Sequence, residues 1–235
     1  LLKVMITGAS RGLGYQLVKL FHEGGNLVFP LVRTQLFADL LTSEFKNRIV
    51  PIIADVGLDE CETVIRTTLD HSTDCLDILI NNAGISGREF EMDKVTTKEV
   101  NDLFNVHCLG AIRTVRATLQ FLYNSNHPRI VNVSSRLGSL SMMSSGEFQH
   151  LKTSYSYRIA KAAQNMFTIC LEKELNEKGI SVNSIHPGKL KTQSASTDAD
   201  MDVATGAKHI FQWLVDMDRE YSGKYIQPGY REFNW

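Results

Sequence analysis

The sequence predicts an α/β fold in which a doubly wound parallel sheet carries helices on both faces. Two observations support this. Short apolar runs alternate along the whole chain with longer stretches of helical period, and the runs are too uniformly apolar for either face to meet water. The first run also breaks into three glycines, Gly8, Gly12 and Gly14, with a helical pattern directly behind them, the order of strand, tight turn and helix.

The elements follow in order. An apolar run predicts a strand over 4–7, and after the glycines a helix is expected over 14–22. Strands are predicted over 27–32, 49–54 and 78–81, with a helix over 61–69 before the last of these. A long amphipathic stretch predicts one helix over 100–123, followed by a strand over 130–134. A second long helix is predicted over 157–177, then a strand over 181–186, a helix over 203–215 and a short strand over 224–226. The least regular segments, 137–154 and 191–202, are rich in serine and polar residues and fall after strands, where the rim of a site is expected.

The chain has 235 residues, 43% of them hydrophobic, enough for one large core, and it shows no repeat or long linker. Its 25 basic and 26 acidic residues give a net charge of −1 with no basic block, which argues against nucleic acid as a partner. Cys61, Cys75, Cys108 and Cys170 form no CxxC pair, which argues against zinc and a disulfide framework and for a reducing, cytoplasmic setting. No apolar run approaches the roughly 20 residues of a membrane span, so no membrane association is expected. The chain starts at Leu1, inside its first strand and without an initiator Met, so a few preceding residues are expected.

The glycine turn is suited to phosphate. Glycine lets the backbone turn tightly and approach a ligand, and the free NH groups at a helix start favour an anion. The spacing is Gly-x3-Gly-x-Gly rather than GxGxxG, and a ligand-free connection could use the same glycines.

A second constellation is chemical. Ser135 closes the strand over 130–134, and Tyr157 and Lys161 lie four residues apart near a helix start, hence on one face. A phenol of pKa about 10 is a poor acid near neutrality, and a nearby ammonium favours its ionised form. A serine hydroxyl can hold a substrate carbonyl oxygen in line with that phenol. Tyr15 and Lys19 share the spacing but have no serine strand leading to them, so they read as helix surface.

With these residues in place, the chain resembles the short-chain dehydrogenase/reductase family over nearly its whole length. Residues 7–14 match the family's TGxxxGxG turn, Asp55 and Val56 its adenine contact, and residues 81–84 its NNAG strand end. Ser134 to Gly138, the Tyr157 and Lys161 pair, and His186 to Gly188 followed by Thr192 complete the set in the family's order. The ending, Gly223 to Ile226 and Arg231 to Trp235, is similar to the C-factor-like and sniffer-like carbonyl reductases of that family.

The resemblance implies a single Rossmann-type domain over 1–235 and a carbonyl or alcohol oxidoreductase. It implies Ser135 as the carbonyl-orienting serine, Tyr157 as general acid or base, and Lys161 as tyrosine activator and ribose ligand. Cofactor contacts are implied at Gly8, Ser10, Arg11, Gly12, Leu13 and Gly14, at Asp55, Val56, Asn82, Ala83 and Gly84, and at Pro187, Gly188, Leu190 and Thr192. Asn82 could equally bridge neighbouring strands. NAD-selective members generally end the second strand in an acidic residue; here Arg33 stands there and Arg11 lies in the turn, which implies NADP, with NADPH preferred over NADH. The partners implied are a small-molecule carbonyl or alcohol and a second copy of the chain, a homodimer packed through helices 100–123 and 157–177.

Two departures stand out. The stretch between Ser135 and Tyr157 is longer than usual and holds Met142, Met143, Phe148 and His150, expected as an extra loop over the substrate side. The family's helix asparagine aligns with His107, which is expected to hold a water that relays protons to Lys161 and to titrate near pH 6.5. Equally, His107 could simply pack in the helix, or a shifted register could give that place to Asn105. The altered position also leaves open a nucleotide-binding regulator with the same fold and little turnover.

Overall fold

The computed structural model describes residues 1–191, 198–218 and 221–235. Its strands are β1 (Lys3–Thr7), β2 (Leu27–Val32), β3 (Ile52–Ile53), β4 (Ile78–Asn81), β5 (Arg129–Val133), β6 (Ser181–Ile185), β7 (Tyr225–Gln227) and β8 (Arg231–Glu232). They form one sheet in the order β3-β2-β1-β4-β5-β6-β7-β8, parallel throughout except for the last pair. The chain winds outward one way from β1 and the other way from β4, so the crevice beyond their carboxyl ends is the switch point of the sheet.

The period of two along each strand sends alternate residues into two cores. Val4, Ile6, Ile78 and Val131 join Leu17, Val18 and Phe21 of α1 (Gly12–Glu23) and Ile210 and Leu214 of α8 (Val203–Asp216). Met5, Leu79, Ile130 and Val182 point the other way, onto Ile65 of α3 (Cys61–Asp70), Val115 and Phe121 of α5 (Gly110–Tyr123), and Leu171 of α7 (Tyr155–Leu175). Burying each such side chain contributes about 1.5–3 kcal/mol, and these two layers hold the crevice in shape.

The structure differs from the sequence reading in several places, one of them the unforeseen antiparallel strand β8. Residues 35–45 form an unforeseen helix, α2 (Gln35–Phe45), because it buries Ala38, Leu41 and Phe45 while Leu36 and Leu40 stay exposed and blur its period. The expected strand over 49–54 shrinks to β3 plus a single bridge from Ile49 to Val28; Pro51 has no NH for a ladder. The long helix over 100–123 is instead α4 (Thr97–Phe104), a π-helical turn over Asn105–Leu109, and α5. Thr96 starts α4 by accepting the Glu99 NH at 3.1 Å. Segment 137–154 is partly ordered as α6 (Leu140–Ser144), and Met142 and Phe148 pack into a cluster with Leu151, Tyr225 and Phe233. Met143 and His150 are exposed.

Among the described residues no helix is long and apolar enough to cross a membrane, and no group of histidine, cysteine and acidic residues could hold a metal ion.

Candidate active site

The glycine turn sits at the carboxyl end of β1, in the switch-point crevice. Gly12 adopts φ +58° with open space where a Cβ would stand, so conformation is what it supplies. Gly14 is different: a Cβ there would lie 2.3 Å from the Gly8 carbonyl oxygen and 2.6 Å from Asn82 Nδ2, so close approach is what it supplies. The Asn82 amide donates to the Thr7 carbonyl at 2.9 Å and the Gly8 carbonyl at 3.3 Å, and Thr7 Oγ1 accepts the NH groups of Asn82 and Ala83. Asn82 thus shapes the turn, the bridging alternative, and spends its nitrogen doing so. The start of α1 has no side-chain cap, which leaves its first NH groups facing the crevice. An anionic dinucleotide fits this set of donors and this glycine-lined approach.

Other expected contacts divide. Ser10, Ala83 and Gly84 lie on the crevice side, whereas Leu13 packs into the core and can offer only its backbone. Arg11 and Arg33 are exposed, and neither makes an ion pair among the described residues. The turn and the end of β2 are tied together by the Ala9 NH on the Leu31 carbonyl at 3.1 Å, which sets the two arginines at neighbouring strand ends. Asp55 accepts the Gly57 NH at 2.8 Å and Val56 is buried beside it. Pro187 and Gly188 follow β6, with Gly188 at φ +100°. The half-buried Leu190 side chain packs against the core beside Gly206 of α8. Thr192 lies outside the described residues.

The catalytic candidates converge at the carboxyl end of β5. Ser154 caps α7 by accepting the Tyr157 NH at 3.2 Å, and one turn later Lys161 enters the same face, buried. The turn after Ser135 is wedged against this helix: a Cβ on Gly138 would lie 2.9 Å from the Lys161 backbone, and Asn165 Nδ2 donates to the Gly138 carbonyl at 3.2 Å. Ser135 faces the Tyr157 phenol. Burial raises the phenol above its ordinary pKa, and the hydrogen bond with Ser135 opposes that rise. The expected lowering by Lys161 is not what the geometry gives, because its ammonium is turned to the Val133 carbonyl at 2.7 Å and Gln164 Oε1 at 3.0 Å. Burial pulls Lys161 itself down to about 7.

The π turn settles which of two residues faces this site. Asn105 turns away, donating to the Gly57 carbonyl at 2.9 Å and accepting from Arg113 at 2.8 Å. His107 turns inward, edge-on to the Tyr157 ring at 5.5 Å, with Nε2 at 2.7 Å from the Ile85 carbonyl and 3.2 Å from its NH. It fills the space beside Gly84, where a Cβ would meet its Cε1 at 2.5 Å. Titration near pH 6.5 is corrected: burial, with the Lys161 charge adding to it, pushes His107 down to about 3, so the ring is neutral.

Three contributors escaped the sequence reading. Gln164, one turn beyond Lys161, holds the ammonium. Glu99 accepts the Arg88 NH at 2.9 Å and the Ser156 hydroxyl, tying the loop after β4 to the start of α7. Tyr225 bonds the Ser135 backbone. The spacing from Lys161 to Gln164 was the one available signal. A groove of about 640 Å³ between α8 and the β7–β8 hairpin, lined by Trp213, Tyr221 and Tyr230, holds none of the catalytic set.

Comparison with known proteins shows the family and the fold. The C-signal protein of Myxococcus xanthus is 29% identical over 160 residues, 68% of this chain and 93% of that protein. The 3-oxoacyl-[acyl-carrier-protein] reductase FabG of Vibrio harveyi is 28% identical over 188 residues, 80% of this chain and 73% of that protein. Among solved structures, the Drosophila melanogaster carbonyl reductase Sniffer superposes with TM-score 0.88 at 26% identity, covering 99% of both chains. The NADPH-bound carbonyl reductase from chicken fatty liver superposes with TM-score 0.87 at 25% identity, covering 99% of this chain and 98% of that one. The family model for short chain dehydrogenase matches residues 3–202, and the chain belongs to that family of dehydrogenases and reductases.

Proposed function

We propose that this protein is an NADP-dependent reductase of a small-molecule carbonyl, or in reverse a dehydrogenase of the corresponding alcohol. The observation that carries the reading is the meeting of Ser135, Tyr157 and Lys161 beside the uncapped start of α1 in the switch-point crevice. Gly8, Gly12, the α1 amides, Ala83, Gly84 and the Pro187–Gly188 corner would hold the dinucleotide, with Lys161 reaching its ribose. The nicotinamide supplies a hydride when bound. Ser135 orients the substrate carbonyl oxygen, and Tyr157, kept as a neutral phenol by burial, donates its proton to the developing alkoxide. Lys161 stands beside the phenol as a cation, its ammonium 5.8 Å from the centre of the Tyr157 ring and held by Val133 and Gln164. His107 is a positioning residue that clamps Ile85 and walls the ring of Tyr157.

The preference for NADPH rests on Arg11 and Arg33, two exposed cations at adjacent strand ends where a 2′-phosphate would lie. An Arg11→Ala, Arg33→Ala double variant should weaken NADPH affinity by about 10–100-fold and leave NADH affinity nearly unchanged, as read by fluorescence titration. Equal affinities of the unaltered protein for the two dinucleotides would overturn the assignment.

The same reading includes a homodimer. On α7 the exposed apolar side chains Tyr155, Ile159 and Met166 form one stripe, whereas Leu171 is buried and Phe167 packs against the core. Light scattering should give twice the chain mass; a monomer at high concentration would sink this part. The four free cysteines accord with a reducing, cytoplasmic location.

A further inference from the structure

The C-terminal residues meet the catalytic centre from behind. Tyr225 of β7 is fully buried, and its hydroxyl donates to the backbone carbonyl of Ser135. Its ring stacks on Trp235, centroids 5.1 Å apart and planes 23° from parallel, and leans on Phe233 at 5.2 Å. The last residues also grip the chain that follows the serine: Ser139 Oγ donates to the Asn234 carbonyl at 2.6 Å, and the Ser141 NH to the Trp235 carbonyl at 3.0 Å. On its other side this segment is wedged on α7 through Gly138 and Asn165. The strand carrying the serine hydroxyl is thus held between the helix of Tyr157 and the end of the chain.

We propose that Tyr225, locked by Trp235, is a positioning residue that sets the Ser135 hydroxyl against the Tyr157 phenol. The inference rests on the reading of Ser135 given above. A phenylalanine at 225 would keep the volume and the stacking, so packing alone does not call for the hydroxyl. A buried hydroxyl must find partners; Tyr225 has the side chains of Asn165 and Ser134 beside it, and it donates to the backbone of Ser135, the residue whose side chain needs fixed geometry.

The test is a double-mutant cycle in the full-length protein. Tyr225→Phe should lower kcat by about tenfold, with the NADPH Kd within about twofold and little change in melting temperature. In a Ser135→Ala background the same change should have almost no further effect, because the residue it positions has lost its hydroxyl. Trp235→Ala, in the small cluster clear of the large cores, should lower kcat in the same direction, and Trp235→Phe should restore it. Undiminished turnover in Tyr225→Phe, or the same fractional loss with and without the Ser135 hydroxyl, would overturn the inference while leaving the reductase reading intact. Full turnover in Ser135→Ala would instead overturn the catalytic assignment of the serine, and the positioning role with it.

Discussion

Tyr157→Phe should lower kcat for carbonyl reduction by about 10²–10⁴-fold, the usual contribution of a positioned general acid, while NADPH binds nearly as before. The change deletes one hydroxyl and leaves a ring still packed edge-on against His107 at 5.5 Å, so the pocket keeps its shape. The hydride donor and the carbonyl would still be brought together, but the alkoxide would find no proton where one is needed. Lys161→Ala should damage more. It removes a cation from the ribose side and also frees the Val133 carbonyl and Gln164, both of which now accept from the ammonium, so cofactor affinity and turnover should fall together. Steady-state kinetics on an accepted aldehyde or ketone, beside a cofactor titration, separates the two patterns. Undiminished turnover in Tyr157→Phe would remove the tyrosine from the mechanism, and cofactor binding without turnover across a broad carbonyl screen would favour a nucleotide-binding regulator.

The parts of this site that could be read in the sequence are those set by local geometry. Tyr157 and Lys161 share a face because four residues make about one helical turn, and β1 and β4 were plain because strands buried on both sides are nearly continuous apolar runs, a pattern that polar residues interrupt in β5 and β6. What stayed hidden depends on contacts across the chain. Ser156 meets Glu99 over a separation of 57 residues, and Tyr225 meets Ser135 over 90, and no spacing rule spans such distances. The break in the long helix has the same origin: the π turn presents His107 to Ile85, a partner on the loop after β4. The packing of the Leu13 and Leu190 side chains against the core was hidden for the same reason, since partners on other elements decide it.

Acid should destabilise this protein well before its carboxylates titrate. His107 and His186 are buried, and burial pushes each from its ordinary 6.5 down to about 3. Around His107 the Lys161 charge adds to the effect of burial, opposed by the bond to Ile85. Around His186 the added repulsion comes from Arg136, Arg231 and Lys189 and is opposed by Asp198. In the unfolded chain both rings take up protons near pH 6.5, whereas the folded chain refuses them until about pH 3. Protons therefore favour the unfolded state throughout that window. The histidine contribution is complete above pH 6.5 and declines by about 1.4 kcal/mol per pH unit per histidine below it. From pH 7 to pH 5 the two together should cost about 4 kcal/mol, a large part of the roughly 5–15 kcal/mol that holds a domain folded. Lys161 acts on the other side, since a folded value of about 7 against 10.5 makes stability rise between those values and adds no slope in acid. Urea midpoints measured at pH 7, 6 and 5 should fall steeply. The slope should be halved in His107→Asn and nearly removed when His186→Asn is added, whatever the absolute stability of the variants. A midpoint independent of pH across that range would mean that the two rings carry protons in the folded protein, and a neutral His107 beside Tyr157 would have to be abandoned.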